Sequence, residues 1–226
     1  MMTTVSSQIL INIDEGQVLR DVGYDASCEP PARATALAHD YARNVNQLIN
    51  PSFSYVIKDV DFVINSSVFI EGGSVFQSKV ISELLKKCEK VAVFTLTIDR
   101  YLEETVAELA EDGLIVQARV LDAIGSNAVE RVADHVQDII RQRVNARGFH
   151  VSRRFSPGYC DWEVAQQQML FLAMNGSNIS IQLTDDNLMV PRKSISGVIG
   201  IGTRKNEMED YNPCVSCQQH NCPGRR

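Results

Sequence analysis

Several things are missing from this chain, and each omission removes a class of function. No apolar run is long enough to span a bilayer. There is no excess of positive charge: 28 acidic side chains against 22 basic ones give a net charge of −6, which argues against a general nucleic-acid binder. The opening residues, Met1-Met2-Thr3-Thr4-Val5-Ser6-Ser7, lack the basic and apolar regions of an export signal, so a cytoplasmic setting is expected. No P-loop, no Ser-His-Asp order and no paired-carboxylate motif stands out, and there is no internal repeat or low-complexity tract. His39, His135 and His150 have no partner at metal-ligand spacing and read as structural.

What remains is ordinary globular composition, 44% hydrophobic and 22% charged, over 226 residues. That is enough to bury one core, with room for a small appendage. Taken in order, a short apolar run at 9–13 precedes Asp14-Glu15, which heads a helix through Val22. Pro30-Pro31 punctuates, and Leu37, Tyr41, Val45 and Leu48 mark a second amphipathic helix over 32–50, stopped by Pro51. Strands are expected at 54–63 and 67–70, with a turn at Gly72-Gly73, then a helix over 78–88, a strand over 91–98 and a helix over 100–111. The 91–98 strand is almost continuously apolar, so it belongs in the middle of a sheet covered on both faces.

The longest helical pattern runs over 114–146, with Leu121, Ala128, Val132, Val136 and Ile139 on one face and Gly148 at the C-terminal cap. Gly125 interrupts it at a cost of roughly 1 kcal/mol relative to alanine, which reflects either a close approach by another group or local tolerance. After Thr203 the composition turns polar. The expected division is a domain over 1–203 and a polar linker with a cysteine-rich tail over 204–226.

The stretch 153–202 is the most informative. In Arg154-Phe155-Ser156-Pro157-Gly158-Tyr159, Pro157 fixes φ and Gly158 tolerates a positive φ, as a type II turn requires. The turn holds a guanidinium and a phenol at the two ends of one bend. Trp162, Ala165, Met169 and Leu172 recur at helical spacing, and Ile179 and Ile181 then alternate as in a strand. Ser194–Gly202 has the order G-x-x-G-x-G and is followed by polar residues instead of a helix, so it is not a dinucleotide loop. It reads as a glycine-rich strand approached closely by a ligand or another backbone.

Cys214, Cys217 and Cys222 fall within nine residues and form the sharpest chemical signal outside the bend. In a reducing compartment such a group is a set of thiols or metal ligands before it is a disulfide framework. Zinc, with His220 or a distant cysteine as fourth ligand, is one reading. An iron–sulfur cluster, with Cys160 as candidate fourth ligand, is another, and a redox-active thiol tail without metal is the third. Cys28 and Cys88 are expected to be buried and inert.

The Arg154 bend, followed by Leu183-Thr184-Asp185-Asp186, Met189, Pro191, Ser194 and Ser196-Gly197, resembles the activation domain of cobalamin-dependent methionine synthase, in a stand-alone form. The likeness covers about residues 78–203, and Gly158-Tyr159-Cys160-Asp161-Trp162 extends it. The resemblance implies an α+β fold, a twisted, mainly antiparallel sheet with long helices packed on it. It also implies a binding site for S-adenosylmethionine (AdoMet).

In that site Arg154 would fork onto the ligand carboxylate, backbone groups at Ser156 and Gly158 would approach it, and Tyr159 would face the methyl group or the corrinoid. Glu130 would sit by the cationic end. A zwitterion with a sulfonium needs both an anion and a cation beside it. The implied function is reactivation: reductive methylation of cob(II)alamin on a partner methyltransferase, methionine synthase first, with an external flavoprotein or ferredoxin as reductant. The chain has no D-x-H-x-x-G segment and is too short for homocysteine and folate modules, so cobalamin is expected on the partner. The alternatives are an iron–sulfur or zinc protein that activates corrinoid proteins without AdoMet, and a non-catalytic module that keeps the fold alone.

Overall fold

The computed structural model describes residues 2–5, 9–25, 27–176 and 181–215. In chain order the elements are β1 (Met2–Val5), α1 (Glu15–Val22), α2 (Ala32–Leu48), β2 (Ser52–Ile64), β3 (Ser67–Ile70), β4 (Val75–Gln77), α3 (Lys79–Leu85) and β5 (Lys90–Thr97). They continue with α4 (Tyr101–Glu111), α5 (Ile115–Asn145), β6 (His150–Phe155), α6 (Gln167–Met174), β7 (Gln182–Leu183), β8 (Met189–Val190), β9 (Ser194–Gly202) and α7 (Lys205–Glu209). The expected α+β class is the one observed. A seven-stranded sheet runs β4-β3-β2-β5-β9-β6, with β1 on β2, and every pairing is antiparallel. No helix among the described residues is long and apolar enough to cross a membrane.

Two of the helix starts are fixed by a capping side chain. Asp14 accepts from the Gln17 amide at the head of α1, and Ser78 does the same for Ile81 at the head of α3. Gly23 closes α1 in the left-handed conformation that a glycine adopts without strain. Between β5 and β9 the register alternates strictly, and this sorts the core into two layers. Phe94, Leu96, Ile199 and Ile201 point to the face covered by α1, α2, α4 and α5; Val91, Val93 and Val198 point to the face covered by α3 and α6. A strand buried on both faces is apolar at most positions, and 90–97 is so apart from Lys90 at its start and the buried threonines Thr95 and Thr97.

Within α5 the inward stripe includes Leu121, Ala128, Val132 and Val136, all buried, with Ile140 carrying it on and Ile139 only partly covered. Gly125 is there for close approach: a Cβ would lie 2.6 Å from Cδ2 of Leu102, so α4 crosses α5 at that point.

Two expectations are corrected. Leu172 is 63% exposed and Ala165 is exposed too, because α6 begins only at Gln167; its buried residues are Gln167, Leu170, Ala173 and Met174. Trp162 lies upstream in the bend and does not share the helical phase. The second correction concerns the segment after Thr203, which is not a linker throughout. It forms α7 with Met208 fully buried, and Tyr211 packs on Phe155 while its hydroxyl donates to the Val80 carbonyl at 2.7 Å. Tyr211 is further held under the Lys87 ammonium. The Ile179 half of the expected strand lies outside the described residues, and Ile181 is buried just before β7.

Candidate functional site

Arg154 owes its direction to an irregularity in β6. Val151 pairs with Ile201 and Arg154 pairs with Ile199, so β6 carries one residue more than β9 between these points. Ser152 fills the gap: its hydroxyl accepts the Gly200 amide at 2.9 Å and donates to the Arg153 carbonyl at 2.6 Å. A bulge of this kind turns the following side chain to the other face of the sheet. Without it Arg153 would face α5; with it, Arg154 does.

There Arg154 meets three side chains of α5. Its Nη1 donates to Asp134 at 2.8 Å and to the Gln137 side-chain oxygen at 3.3 Å, and its Nη2 donates to Glu130 at 2.5 Å. The Arg154 side chain is 11% exposed, and the two carboxylates are about half exposed at 49% and 47%. Burial works against the guanidinium charge, but the hydrogen bonds and negative charges of Asp134 and Glu130 outweigh it and raise its pKa above the usual arginine value.

The bend follows at once. Gly158 has φ 94°, and the Tyr159 amide reaches back to the Ser156 carbonyl at 3.4 Å, the turn expected from Pro157-Gly158. Gly158 itself does not wall the cavity described below. Its amide donates to the Trp162 carbonyl at 2.7 Å, so its contribution is conformational. On the other side, Gly197 of β9 lets the bend sit close: a Cβ there would lie 2.5 Å from the Phe155 carbonyl oxygen and 3.1 Å from the Ser156 hydroxyl. The glycine-rich strand is therefore approached by backbone at this position.

Asp161 ties the bend to α3. Its carboxylate accepts from the Ser78 hydroxyl at 2.7 Å and from the amides of Lys79 and Val80 at 2.6 and 3.3 Å. Partial burial pushes its pKa up, but those three bonds at a helix N-terminus prevail and hold it below the ordinary carboxylate value. A depressed pKa in the folded state means stabilisation that is complete above the unfolded value and lost as pH falls through the folded one. Asp161→Asn is expected to cost about 1 kcal/mol at neutral pH, the usual scale for a lost helix cap. Thermal melting of both proteins across pH checks this: the gap should close below about pH 4, and a gap independent of pH would refute it.

Arg154, Glu130, Ser156, Pro157 and Tyr159 wall one cavity of about 450 Å³, together with Trp162, Gln167, Met189, Ser194 and Ser196. Of the sequence-predicted binding residues, only Gly158 is off the wall. Tyr159 is 54% exposed at the rim. The interior carries a row of polar groups, because Ser194 and Ser196 alternate onto the α6 face, where the Ser196 hydroxyl donates to Gln167 at 2.6 Å. Trp162 is 2% exposed, and its indole Nε1–H has no hydrogen-bond partner among the described residues. A buried donor left unpaired is costly unless something fills the space beside it. Trp162 and Gln167 were missed as cavity residues: Trp162 was read only as part of an apolar helix face, and Gln167 carried no signal of its own.

Cys160 and Cys214 also line this cavity. Cys217 and Cys222 lie outside the described residues, and among the described residues no three potential ligands converge on a metal position. Cys88 behaves as expected: burial, with the nearby Glu89 charge, pushes its pKa up to about 12, and its thiol packs on Met208. Cys28 is exposed in the loop between α1 and α2, contrary to the expectation of burial.

No protein-family model matches the chain, and no curated protein matches it. Among solved structures, the crystal structure of the MetH reactivation domain bound to AdoHcy is similar, with a TM-score of 0.59 at 12% sequence identity. The similarity covers 80% of this chain and 65% of that one. The chain thus has the fold of the MetH reactivation domain and spans about two thirds of its length.

Proposed function

We propose that this protein binds S-adenosylmethionine in the cavity beside the Arg154 bend and acts as a cytoplasmic reactivation subunit for a cobalamin-dependent methyltransferase, methionine synthase first. The observation that carries the reading is the Arg154–Glu130–Asp134 cluster on the cavity wall, with contacts of 2.5 and 2.8 Å. It presents both signs of charge to a ligand that itself has a carboxylate, an ammonium and a sulfonium. Of the five guanidinium N–H groups, three are used by Asp134, Gln137 and Glu130, which leaves two to take a carboxylate. Glu130, half exposed, would face the cationic end.

Other features fit the same ligand. The hydroxyls of Ser194 and Ser196 offer polar contacts on the wall of this half-open cavity, beside buried Trp162. About 450 Å³ suits a ligand of this size. The similar solved domain holds AdoHcy, the demethylated counterpart of S-adenosylmethionine. When bound, S-adenosylmethionine would supply a methyl group for a corrinoid carried by the partner. The chain's own part is to hold the donor, keep the bend fixed and offer Tyr159, Leu188 and Val190 as exposed apolar surface at the rim and beside wall residue Met189. The electron would come from a separate flavoprotein or ferredoxin.

Isothermal titration of the full chain with S-adenosylmethionine and with AdoHcy tests the reading. Saturable binding of both at one site per chain is expected; absence of heat and of competition between them would remove it. One observation favours a second reading, an iron–sulfur or zinc protein that activates corrinoid proteins without S-adenosylmethionine: Cys160 and Cys214 share the cavity wall. That reading predicts bound metal and no titration heat.

A further inference from the structure

With the cavity taken as a pocket for S-adenosylmethionine, we propose that Gln167, at the head of α6, recognises the adenine base of the ligand and rejects purines that carry oxygen at position 6. The cavity reaches round the edge strand β6. Glu130 and Arg154 line it on the α5 side. On the side covered by α3 and α6 its wall includes apolar Val80, Ile81 and Trp162, with the polar groups of Gln167, Ser194 and Ser196 set among them. A ligand with a zwitterionic chain at one end and a flat, uncharged base at the other is laid out the same way. With the chain against Arg154, the base falls on the α6 side.

Hydrogen bonds within the wall decide what this side can read. The Ser194 hydroxyl donates to the Pro191 carbonyl at 2.7 Å, and the Ser196 hydroxyl donates to Oε1 of Gln167 at 2.6 Å. A hydroxyl has one proton, so both serines have only lone pairs left to offer. Gln167 is 5% exposed, and its side-chain nitrogen donates to none of the described residues. A buried amide donor is costly to leave without an acceptor.

Ser196 fixes the amide and uses one of the two lone pairs on Oε1. The other lone pair and an Nε2–H form an acceptor and a donor side by side. Adenine carries the complement, an amino group at position 6 next to a ring nitrogen, and a glutamine amide pairs with that edge through two hydrogen bonds. Hypoxanthine and guanine have an oxygen at position 6. There it would bring lone pairs against the lone pairs of Gln167, and the amide would lose a partner.

The test is isothermal titration of the full chain with AdoHcy and with S-inosylhomocysteine, the same molecule with oxygen in place of the 6-amino group. In the wild type S-inosylhomocysteine is expected to bind about 5- to 150-fold more weakly, the discrimination of one two-bonded amide–base pair. Gln167→Leu should bind AdoHcy more weakly and hold the two ligands to within about twofold of each other. Ser196→Ala, which frees the amide to rotate, should narrow the ratio in part. Melting curves report whether each variant is folded, and the wild-type ratio needs no variant at all. A glutamine with a structural role only would lower the melting temperature and leave the ratio unchanged. Equal affinities in the wild type, or an unchanged ratio in folded Gln167→Leu, would overturn the role of Gln167 while AdoHcy binding stands. No binding of AdoHcy would overturn the ligand itself, and the role of Gln167 with it.

Discussion

Arg154→Ala is expected to weaken S-adenosylmethionine binding about 10- to 150-fold, the ~1.5–3 kcal/mol contributed by a hydrogen bond to a charged group. Stability should suffer less. The partners Glu130 and Asp134 are each about half exposed, so on losing the guanidinium they rehydrate instead of remaining as buried charges. The variant should therefore melt close to the wild type while its titration curve flattens. Arg154→Lys keeps the charge but not the planar fork, so it should recover only part of the affinity. Matching affinities for wild type and Arg154→Ala, measured by calorimetry at equal ionic strength, would mean that the ligand does not sit against this side chain.

Trp162→Ala should have the largest effect on stability, a loss of about 3–5 kcal/mol, as for other fully buried aromatics. At about 2–4 °C per kcal/mol for a domain of this size, the melting temperature should fall by roughly 6–20 °C. The indole is packed edge-on to Phe76 at 5.5 Å, in the layer beneath α3 and α6. Its backbone also closes the bend, accepting from Gly158 and donating to Tyr159. Trp162→Phe separates two contributions. It keeps most of the packing and loses no hydrogen bond among the described residues, where Nε1 has no partner. Its stability should be near native, and any loss of S-adenosylmethionine affinity then reports on the indole N–H. Full stability in Trp162→Ala, followed by circular dichroism, would show that the bend does not depend on this side chain.

Much of the architecture was legible because its signals are local. The 31-residue helix α5 shows its own period, β5 announces a central position by being almost continuously apolar, and Pro157-Gly158 specifies its turn by backbone chemistry alone. Arg154 and Glu130 were both named as candidate site residues and both line the cavity, but their direct pairing was not foreseen. That contact depends on the extra residue in β6, which becomes visible only once β6 is aligned with β9. The exposed face of α6 was misread for a related reason. Trp162 fits the helical spacing by count, yet the helix has not begun there, so the phase drawn through it pointed Leu172 inward. Met208 and Tyr211 sit in a polar stretch and reveal nothing of their anchoring until Cys88 is placed against Met208, and Phe155 and Lys87 against Tyr211.

The position of β9 has a consequence for how the protein comes to exist. The last long strand in the sequence is inserted between β5 and β6, and it also supplies Ser194, Ser196 and the glycine that admits the bend. During synthesis the earlier strands emerge with a gap down the middle of the sheet, leaving two unpaired ladders facing each other. Contacts this distant in sequence form slowly, and open ladders invite pairing with other chains. A ribosome-bound chain that has not yet released residue 202 would lack the strand that completes both the sheet and the cavity wall, and such nascent chains are where a need for chaperones should be greatest.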